Sequence, residues 1–137
     1  MRGESSGMIN LENKIELWVP IIPVAKARPR MGKHGVYTPQ KTVSFEQSIR
    51  FAFIQSKQKI LPEMPTLVAI EFYLPRPKKH KFYFPISRPD VDNLLKGVID
   101  ALNGFAWKDD NQITTLIGKK NYAEKDPGVH LIAHSII

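Results

Sequence analysis

Residues 88–113 read RPDVDNLLKGVIDALNGFAWKDDNQI, and this stretch decides the fold. Its first half repeats apolar residues at i, i+3 and i+4 spacing, which is typical of an amphipathic helix. Pro89 precedes the pattern, and Asn103-Gly104 supplies a stop signal after it. We therefore predict a helix over residues 90–103. Its apolar face contains Val91, Leu94, Leu95, Val98, Ile99 and Leu102.

The same stretch concentrates acidic residues in a chain whose formal net charge is +7. Five of the 13 acids of the protein fall here, and they are Asp90, Asp92, Asp100, Asp109 and Asp110. On a helical wheel, Asp92, Lys96 and Asp100 lie within about 80°, whereas the apolar residues fill roughly 200° to 340°. The helix therefore carries an acidic stripe away from its buried face.

Each acidic position also has an ordinary structural explanation. Asp90 suits a helix N-cap, and Asp92 suits the positive end of the helix dipole. Lys96 can pair at i, i+4 spacing with Asp92 and with Asp100. Asp109-Asp110 is typical of a turn. Taken one at a time, these residues need no catalytic interpretation.

Taken together, the acids suggest a metal site. The loop after the helix allows Asp109 and Asp110 to return toward the start of the helix. Asp90, Asp92 and one member of that pair are then expected to converge. Three carboxylates repel one another unless a cation neutralises them, and an oxygen-only set suits Mg²⁺. A Mg²⁺ site of this kind can cleave phosphodiesters.

Lys96 fits the same interpretation, because it lies one turn from Asp92. We expect its ammonium group to orient the attacking water or to offset charge on the scissile phosphate. A calcium-binding EF-hand loop is excluded, since Leu94 and Leu95 stand where that loop needs an oxygen ligand and a glycine.

Two acid-free segments, 17–45 and 72–89, carry clusters of basic residues, and both precede the first acid of the acidic stretch. Such segments are either solvated loops or contacts to a phosphate backbone, which supplies most sequence-independent affinity for DNA. Phe82, Tyr83 and Phe84 suit stacking on bases, or else anchor their loop on the core. The candidate DNA-binding residues are Lys26, Arg28, Arg30, Lys33, Arg76, Lys78, Lys79, Lys81 and Arg88.

The length of 137 residues fits one domain, and the absence of cysteine excludes disulfides and thiolate chemistry. No apolar run approaches the roughly 18 residues that span a bilayer.

Residues 1–12 are expected to be a flexible tail or a cloning remnant, with Met8 a candidate natural start. The domain then covers residues 13–137, and we expect a soluble, cytoplasmic protein.

Hydrophobic patterns predict the other elements. Strands are predicted at 15–22, 66–74, 113–122 and 129–136. A helix capped by Thr38 or Thr42 is predicted to carry Phe45, Ile49, Ala52 or Phe53, and Ile60. Residues 23–39 and 75–89 are predicted to be loops, and residues 125–128 the turn of a hairpin between the last two strands. The predicted fold is α/β (α+β), with a small mixed sheet of about four strands and two main helices packed on it.

The stretch resembles the RusA family of Holliday-junction resolvases. The resemblance is carried by Arg88-x-Asp90-x-Asp92-Asn93-Leu94-x-Lys96, Asp100-Ala101-Leu102 and Phe105-x-Trp107-x-Asp109-Asp110-x-Gln112-Ile113. Lys26-Ala27-Arg28-Pro29-Arg30 and Val36-Tyr37-Thr38 resemble the basic loop of many members. Family members often carry basic residues directly before the first aspartate, whereas here Pro89 follows Arg88.

The resemblance implies a homodimeric, Mg²⁺-dependent endonuclease, with Mn²⁺ as a substitute, that resolves four-way junctions by paired nicks during recombination and repair. It implies that Asp90, Asp92 and Asp110 are metal ligands and that Lys96 is catalytic. Asp100 is expected to support the site by pairing with Lys96, and Asp109 is an alternative to Asp110. A bacterial or phage origin and association with the nucleoid follow from the same resemblance.

Two other functions stay open. One is a less selective Mg²⁺ nuclease of the same fold, acting on flaps, forks or phage DNA. The other is a non-catalytic nucleic-acid-binding module. A dimer is expected because two symmetric cuts need two sites, and the candidate surfaces are the apolar face of helix 90–103 and the strands over 113–136.

Overall fold

A four-stranded mixed sheet forms the body of the domain. The computed structural model describes residues 9–136, with side chains from residue 13 onward. Strands β1 (Ile9–Val19), β4 (Thr66–Leu74), β5 (Ile113–Tyr122) and β6 (Gly128–Ile136) make this sheet. Their order is β1-β6-β4-β5, in which β4 and β5 run parallel and the other neighbours run antiparallel. The predicted α+β fold is thereby confirmed.

Two helices cover one face of this sheet. Helix α1 (Gln40–Ser56) packs against β1, helix α2 (Val91–Leu102) packs against β5, and the helices pack against each other. Leu94, Val98 and Leu102 of α2 have no solvent exposure. The apolar face of α2 is therefore core, so the prediction that it could serve as a dimer surface is wrong.

The first strand is longer than its sequence pattern suggested. β1 begins at Ile9, so the end of the expected tail, residues 9–12, is strand, and residues 1–8 lie outside the described part. The strand ends at Val19, because Pro20 cannot donate to the ladder. Residue 137 also lies outside the described part of the chain.

The basic segment 23–39 is not a plain loop. It contains a small hairpin of β2 (Arg30–Gly32) and β3 (Gly35–Tyr37), and every residue of both strands is exposed. Gly35 has φ of 111°, a conformation that favours glycine.

Helix α1 begins without either predicted threonine cap. Pro39 precedes it, and no side chain caps it. The Thr42 hydroxyl instead accepts a hydrogen bond from the backbone N–H of Ala27 at 3.3 Å, which ties the basic segment to the helix. The helix ends when Lys57 adopts a left-handed φ of 58°, so Ile60 lies outside it.

The predicted hairpin between the last two strands is wrong, because β4 lies between β5 and β6. β6 has buried residues along most of its length and takes an inner position, whereas β5 is largely exposed and takes the edge. Residues 123–127 therefore cross over the end of β4 rather than forming a tight turn. The bounds of β4 and β5 match their predictions.

The loop 75–89 is confirmed as free of helix and strand. Its three aromatic rings do not anchor it, since Phe82, Tyr83 and Phe84 are all exposed. Pro85 is buried instead. Within residues 9–136, no helix is long and apolar enough to cross a membrane.

The core packing of α1 generates a test of the fold. Ile49 is 1% exposed, whereas Ile54, five residues on in the same helix, is 54% exposed. We expect Ile49→Ala to lower the free energy of unfolding by about 2–5 kcal/mol, since it leaves a cavity. Ile54→Ala is the matched control and should cost below about 1 kcal/mol. Urea unfolding measures both, and equal losses would contradict the placement of this helix.

Candidate functional site

Asp90 and Asp92 stand exposed at the start of α2. The backbone C=O of Asp90 accepts the first helical hydrogen bond, from Leu94 N–H at 3.1 Å. The Asp90 side chain makes no capping hydrogen bond, although it occupies the N-cap position. The capping explanation of this carboxylate is therefore wrong, and its oxygens face solvent.

Lys120 of β5 holds the chain that leads into α2. Its Nζ donates to the backbone carbonyls of Ser87 and Pro89, at 2.9 Å each. The Arg88–Pro89 peptide bond between them is cis. Sequence reasoning missed Lys120, because nothing local distinguishes it from Lys119. The contact exists only because β5 lies beside the start of α2.

Asp100 pairs with Lys26. The prediction that it pairs with Lys96 is therefore wrong. The Lys26 Nζ lies 3.3 Å from Asp100 Oδ2 and 2.6 Å from Glu46 Oε2. A backbone hydrogen bond from Lys26 N–H to Asn93 C=O at 3.0 Å lays the basic segment along α2 and brings this lysine into position. Burial lowers the pKa of Lys26, but the two carboxylates outweigh it and leave that pKa raised.

This pairing changes the roles of both lysines. Lys26 is committed to an intramolecular cluster, so the prediction that it contacts DNA is not supported. Lys96 is exposed, and it forms no ion pair with any residue in the part of the chain that the structure describes. Its ammonium group is therefore available at the surface, one turn from Asp92.

Asp110 is held at the other end of α2. Its Oδ1 accepts a hydrogen bond from the indole N–H of the fully buried Trp107 at 2.7 Å. Its backbone N–H donates to Asn103 Oδ1 at 3.1 Å. Gly104 has φ of 83°, which allows the chain to reverse between these residues. Sequence reasoning read Asn103 only as part of a helix stop.

Asp109 has a structural role that Asp110 lacks. Its side chain caps the short 3₁₀ helix Asp110–Gln112, accepting from Asn111 N–H at 2.9 Å, and Gln112 completes the capping box. The Gln112 amide also donates to the carbonyl of Pro62 at 2.9 Å and to Thr66 Oγ1 at 3.1 Å, which fastens the start of β5. Of the two aspartates, Asp110 is therefore the better candidate for chemistry.

The environment of Asp110 disfavours its charge. Burial raises the pKa of this carboxyl, and the Asp100 and Asp109 carboxylates raise it further, against the opposing hydrogen bond from Trp107. A carboxyl group held in this way is typical of functional sites, although ion networks can also produce it.

The three predicted ligands do not meet in one chain. Asp92 lies at the start of α2, whereas Asp110 is held by Asn103 at its end. At 1.5 Å per residue, the helix from Asp92 to Asn103 is roughly 16 Å long. Across the described residues, no group of three or more acidic or histidine side chains could hold a metal ion. The predicted convergence of Asp90, Asp92 and Asp110 within a single chain is thus not what the structure shows.

Arg88 is the cation that lies beside Asp90 at the start of α2. A shallow groove of about 310 Å³ beside Asp90 is lined by Arg88, Pro89, Ala25 and Asn93. The other predicted contacts lie on the β2–β3 segment and on the loop 75–89. Eight of the nine predicted residues are exposed, namely Arg28, Arg30, Lys33, Arg76, Lys78, Lys79, Lys81 and Arg88.

Comparisons with known proteins give a consistent picture. The family model described as endodeoxyribonuclease RusA matches residues 20–132. An uncharacterised protein of Bacillus subtilis (strain 168), YqaN, is 33% identical over 130 residues, which is 83% of this chain and 91% of that protein. Crossover junction endodeoxyribonuclease rusA of Lactococcus phage r1t is 29% identical over 97 residues, 69% of this chain and 74% of the phage protein.

Because the pKa of Asp110 is raised, removing the charge of this carboxylate is expected to increase the stability of the folded protein. Because its folded pKa exceeds its unfolded value, ionised Asp110 opposes folding once the pH rises above the ordinary range near 3.9. Asp110→Asn should therefore raise the melting temperature at pH 7, and the gain should shrink near pH 3, where the carboxyl is neutral in both states. Thermal denaturation at the two pH values measures this. Asp126→Asn, in the exposed β5–β6 connection, is the control, and a loss of stability in Asp110→Asn at pH 7 would contradict the account.

Proposed function

This chain belongs to the RusA family of endodeoxyribonucleases, and we propose that it resolves four-way (Holliday) DNA junctions by paired, Mg²⁺-dependent nicks in DNA recombination and repair. The observation that carries the proposal is the pair of exposed, uncapped carboxylates at the start of α2, with Lys96 unpaired among the described residues one turn further on. The name of the phage relative refers to the same substrate class.

Asp90 and Asp92 are the residues that would hold Mg²⁺. Their donor set fits, since Mg²⁺ takes oxygen ligands and is held by one or two carboxylates together with water and substrate phosphate. Neither carboxylate accepts a hydrogen bond from the other described residues. When bound, the ion would supply an activated water and charge stabilisation at the phosphate, with Mn²⁺ as a substitute.

Lys96 acts, in this proposal, through its ammonium group. The side chain lies on the same exposed stripe of α2 as Asp92, and the Asp100 carboxylate that might have neutralised it is paired with Lys26. The Lys96 Nζ can therefore donate to the attacking water or to a phosphate oxygen on which charge develops. Lys26 serves this function indirectly, by keeping Asp100 engaged.

The exposed cations bind the DNA backbone. The β2–β3 hairpin and the loop 75–89 carry most of them, and both lie outside the helix-covered core. Contacts of this type supply affinity for DNA without reading its sequence. Selection for a branched form would then depend on how two such surfaces are spaced in a dimer.

A role for Asp110 requires a second copy of the chain. This carboxylate lies at the far end of α2 from Asp90 and Asp92, and a single chain gathers no three-acid group among its described residues. We therefore propose that Asp110 acts in the assembled dimer rather than beside Asp92 of its own chain.

The β5 edge is the surface proposed for that dimer. Among the strands that the structure describes, β5 pairs only with β4. Its stretch Thr114–Ile117 is uncharged and exposed, with Leu116 at 44% and Ile117 at 51%. An exposed apolar edge strand is a template for pairing with another strand. The opposite edge, β1, carries a bulge between Asn10 and Lys14 that disfavours such pairing. Two copies of β5 running antiparallel would give a two-fold dimer.

Nicking of synthetic DNA tests the activity. With Mg²⁺, the wild-type protein should nick a four-way junction symmetrically and leave linear duplex largely intact. Asp92→Asn and Lys96→Met should lower the nicking rate by about 10²- to 10³-fold. Junction affinity in EDTA should change by less than about twofold, because each change removes at most one phosphate contact. Lys125→Met, in the exposed connection before β6, is the control.

The other outcomes of that assay are distinct. Equal cutting of linear duplex, forks and junctions would replace the resolvase with a less selective nuclease of the same fold. Binding without cutting, with either Mg²⁺ or Mn²⁺, would leave a nucleic-acid-binding module. Full activity in Lys96→Met would remove this lysine from the mechanism.

The dimer is tested by its mass in solution. Ile117→Lys places a charge at the centre of the β5 edge and should convert the dimer to a monomer in analytical ultracentrifugation. Ile54→Lys, at a similarly exposed position on α1, should remain dimeric. A monomeric wild-type protein would contradict the dimer, and a dimeric Ile117→Lys would contradict the β5 interface.

A further inference from the structure

A separate cavity lies on the face of the sheet that the helices leave open. It has a volume of about 480 Å³ and lies between the ends of β4 and β5 and the loop 75–89. Its size falls within the range of sites for small organic groups. Asp90, Asp92, Lys96 and Asp110 do not line it, so the site proposed above does not explain it.

The floor of the cavity is built around Glu71. Its Oε2 accepts a hydrogen bond from the Tyr73 hydroxyl at 3.3 Å and from the Asn121 amide at 3.4 Å. Glu124 adds a second carboxylate to the lining. Two carboxylates repel a phosphate and accept hydrogen bonds, so the group that contacts this floor is not an anion and offers hydrogen-bond donors.

The walls of the cavity are aromatic. The Tyr83 and Phe84 rings meet edge to face with centroids 4.9 Å apart, and the His80 and Tyr122 rings lie 4.7 Å apart. Lys119 Nζ lies 5.2 Å from the centre of the Phe84 ring. Tyr83 is 81% exposed, so its ring presents a free face that core packing does not require.

Cations occupy the rim. Arg76 and Lys119 line the cavity, and the exposed Lys78, Lys79 and Lys81 continue along the same loop. The arrangement therefore combines an anionic floor that accepts hydrogen bonds, aromatic walls and a positive rim. A nucleobase attached to its phosphate backbone matches these three features in the same order.

We propose that this cavity binds one unpaired nucleobase of the DNA substrate. The base stacks on the exposed ring of Tyr83, which the Phe84 ring supports edge to face. Its amino or imino N–H donates to Glu71, and its flanking phosphate lies against Arg76. This assignment rests on the proposed function, because branched DNA offers bases at the branch point that are more easily unstacked than those within a duplex.

The position of the cavity links it to the acidic site. Lys119 and Lys120 are adjacent in β5, and successive side chains of a strand point to opposite faces. Lys119 lines the cavity, whereas Lys120 holds the chain that leads into α2. A base bound on one face would therefore fix the DNA strand relative to Asp90 on the other.

Binding of a mixed-sequence 12-nucleotide single strand tests the assignment, measured by fluorescence anisotropy in EDTA. Tyr83→Ala and Phe84→Ala should each weaken binding by about fivefold or more, and the range for losing one stacked base extends to about 150-fold. Phe82→Ala is the matched control, since Phe82 is exposed on the same loop but does not line the cavity, and it should stay within about twofold of wild type. An oligonucleotide with abasic sugars at its centre should bind wild type as weakly as Tyr83→Ala binds the intact strand.

Equal losses in Phe82→Ala and Tyr83→Ala, or undiminished binding of the abasic strand, would overturn the assignment. Junction nicking by the wild-type protein is measured in parallel. If the wild-type protein nicks junctions but single-strand binding depends neither on the aromatic rings nor on the bases, the assignment of the cavity is rejected and the proposed function stands. Binding that depends on ring and base, without nicking of any DNA, would support the cavity and contradict the proposed function.

Discussion

Burial of the apolar face of α2 is the constraint on which the rest of the structure depends. Leu94, Val98 and Leu102 are completely removed from water between the sheet and α1, and burial of such side chains contributes about 1.5–3 kcal/mol each. The rotation of the helix is thereby fixed, since turning it would expose these residues. Asp92 and Lys96 must then face solvent, and the acidic stripe is a consequence of the core.

Strand β5 packs against α2 and positions the segment that leads into this helix. Gly118 leaves room for the Leu95 side chain, because a Cβ atom at that position would lie 2.6 Å from it. The close approach of strand and helix brings Lys120 to the carbonyls before Asp90. Just before this strand, the Trp107 indole holds Asp110, and Gln112 fastens the segment to Thr66 of β4. The edge strand and the turn that leads into it therefore position both ends of the acidic stretch, and the outer edge of β5 is unpaired among the described strands.

Periodicity in the sequence located the two helices and the four long strands, but it missed the β2–β3 hairpin and did not show which strands are neighbours in the sheet. The alternation in β4 and the i, i+3, i+4 pattern in α2 reflect burial by the same chain, so both elements were predicted closely. The pairing of β5 with β4, rather than with β6, depends on which strand is apolar enough for an inner position. The pairing of Asp100 with Lys26 instead of Lys96 was missed for a similar reason. A backbone hydrogen bond from Lys26 to Asn93, which is distant in sequence, brings Lys26 to Asp100. Spacing along one helix carries no information about such contacts.

The central proposal is that Asp90 and Asp92 hold a Mg²⁺ ion, and localised cleavage by iron tests it most directly. Fe²⁺ is substituted for Mg²⁺ and supplied with ascorbate and peroxide, so that hydroxyl radicals cut the polypeptide beside the bound ion. Mass spectrometry then locates the breaks. The account predicts breaks next to residues 90–92 that disappear in Asp92→Asn. Breaks located elsewhere in the chain, or unchanged breaks in Asp92→Asn, would contradict it.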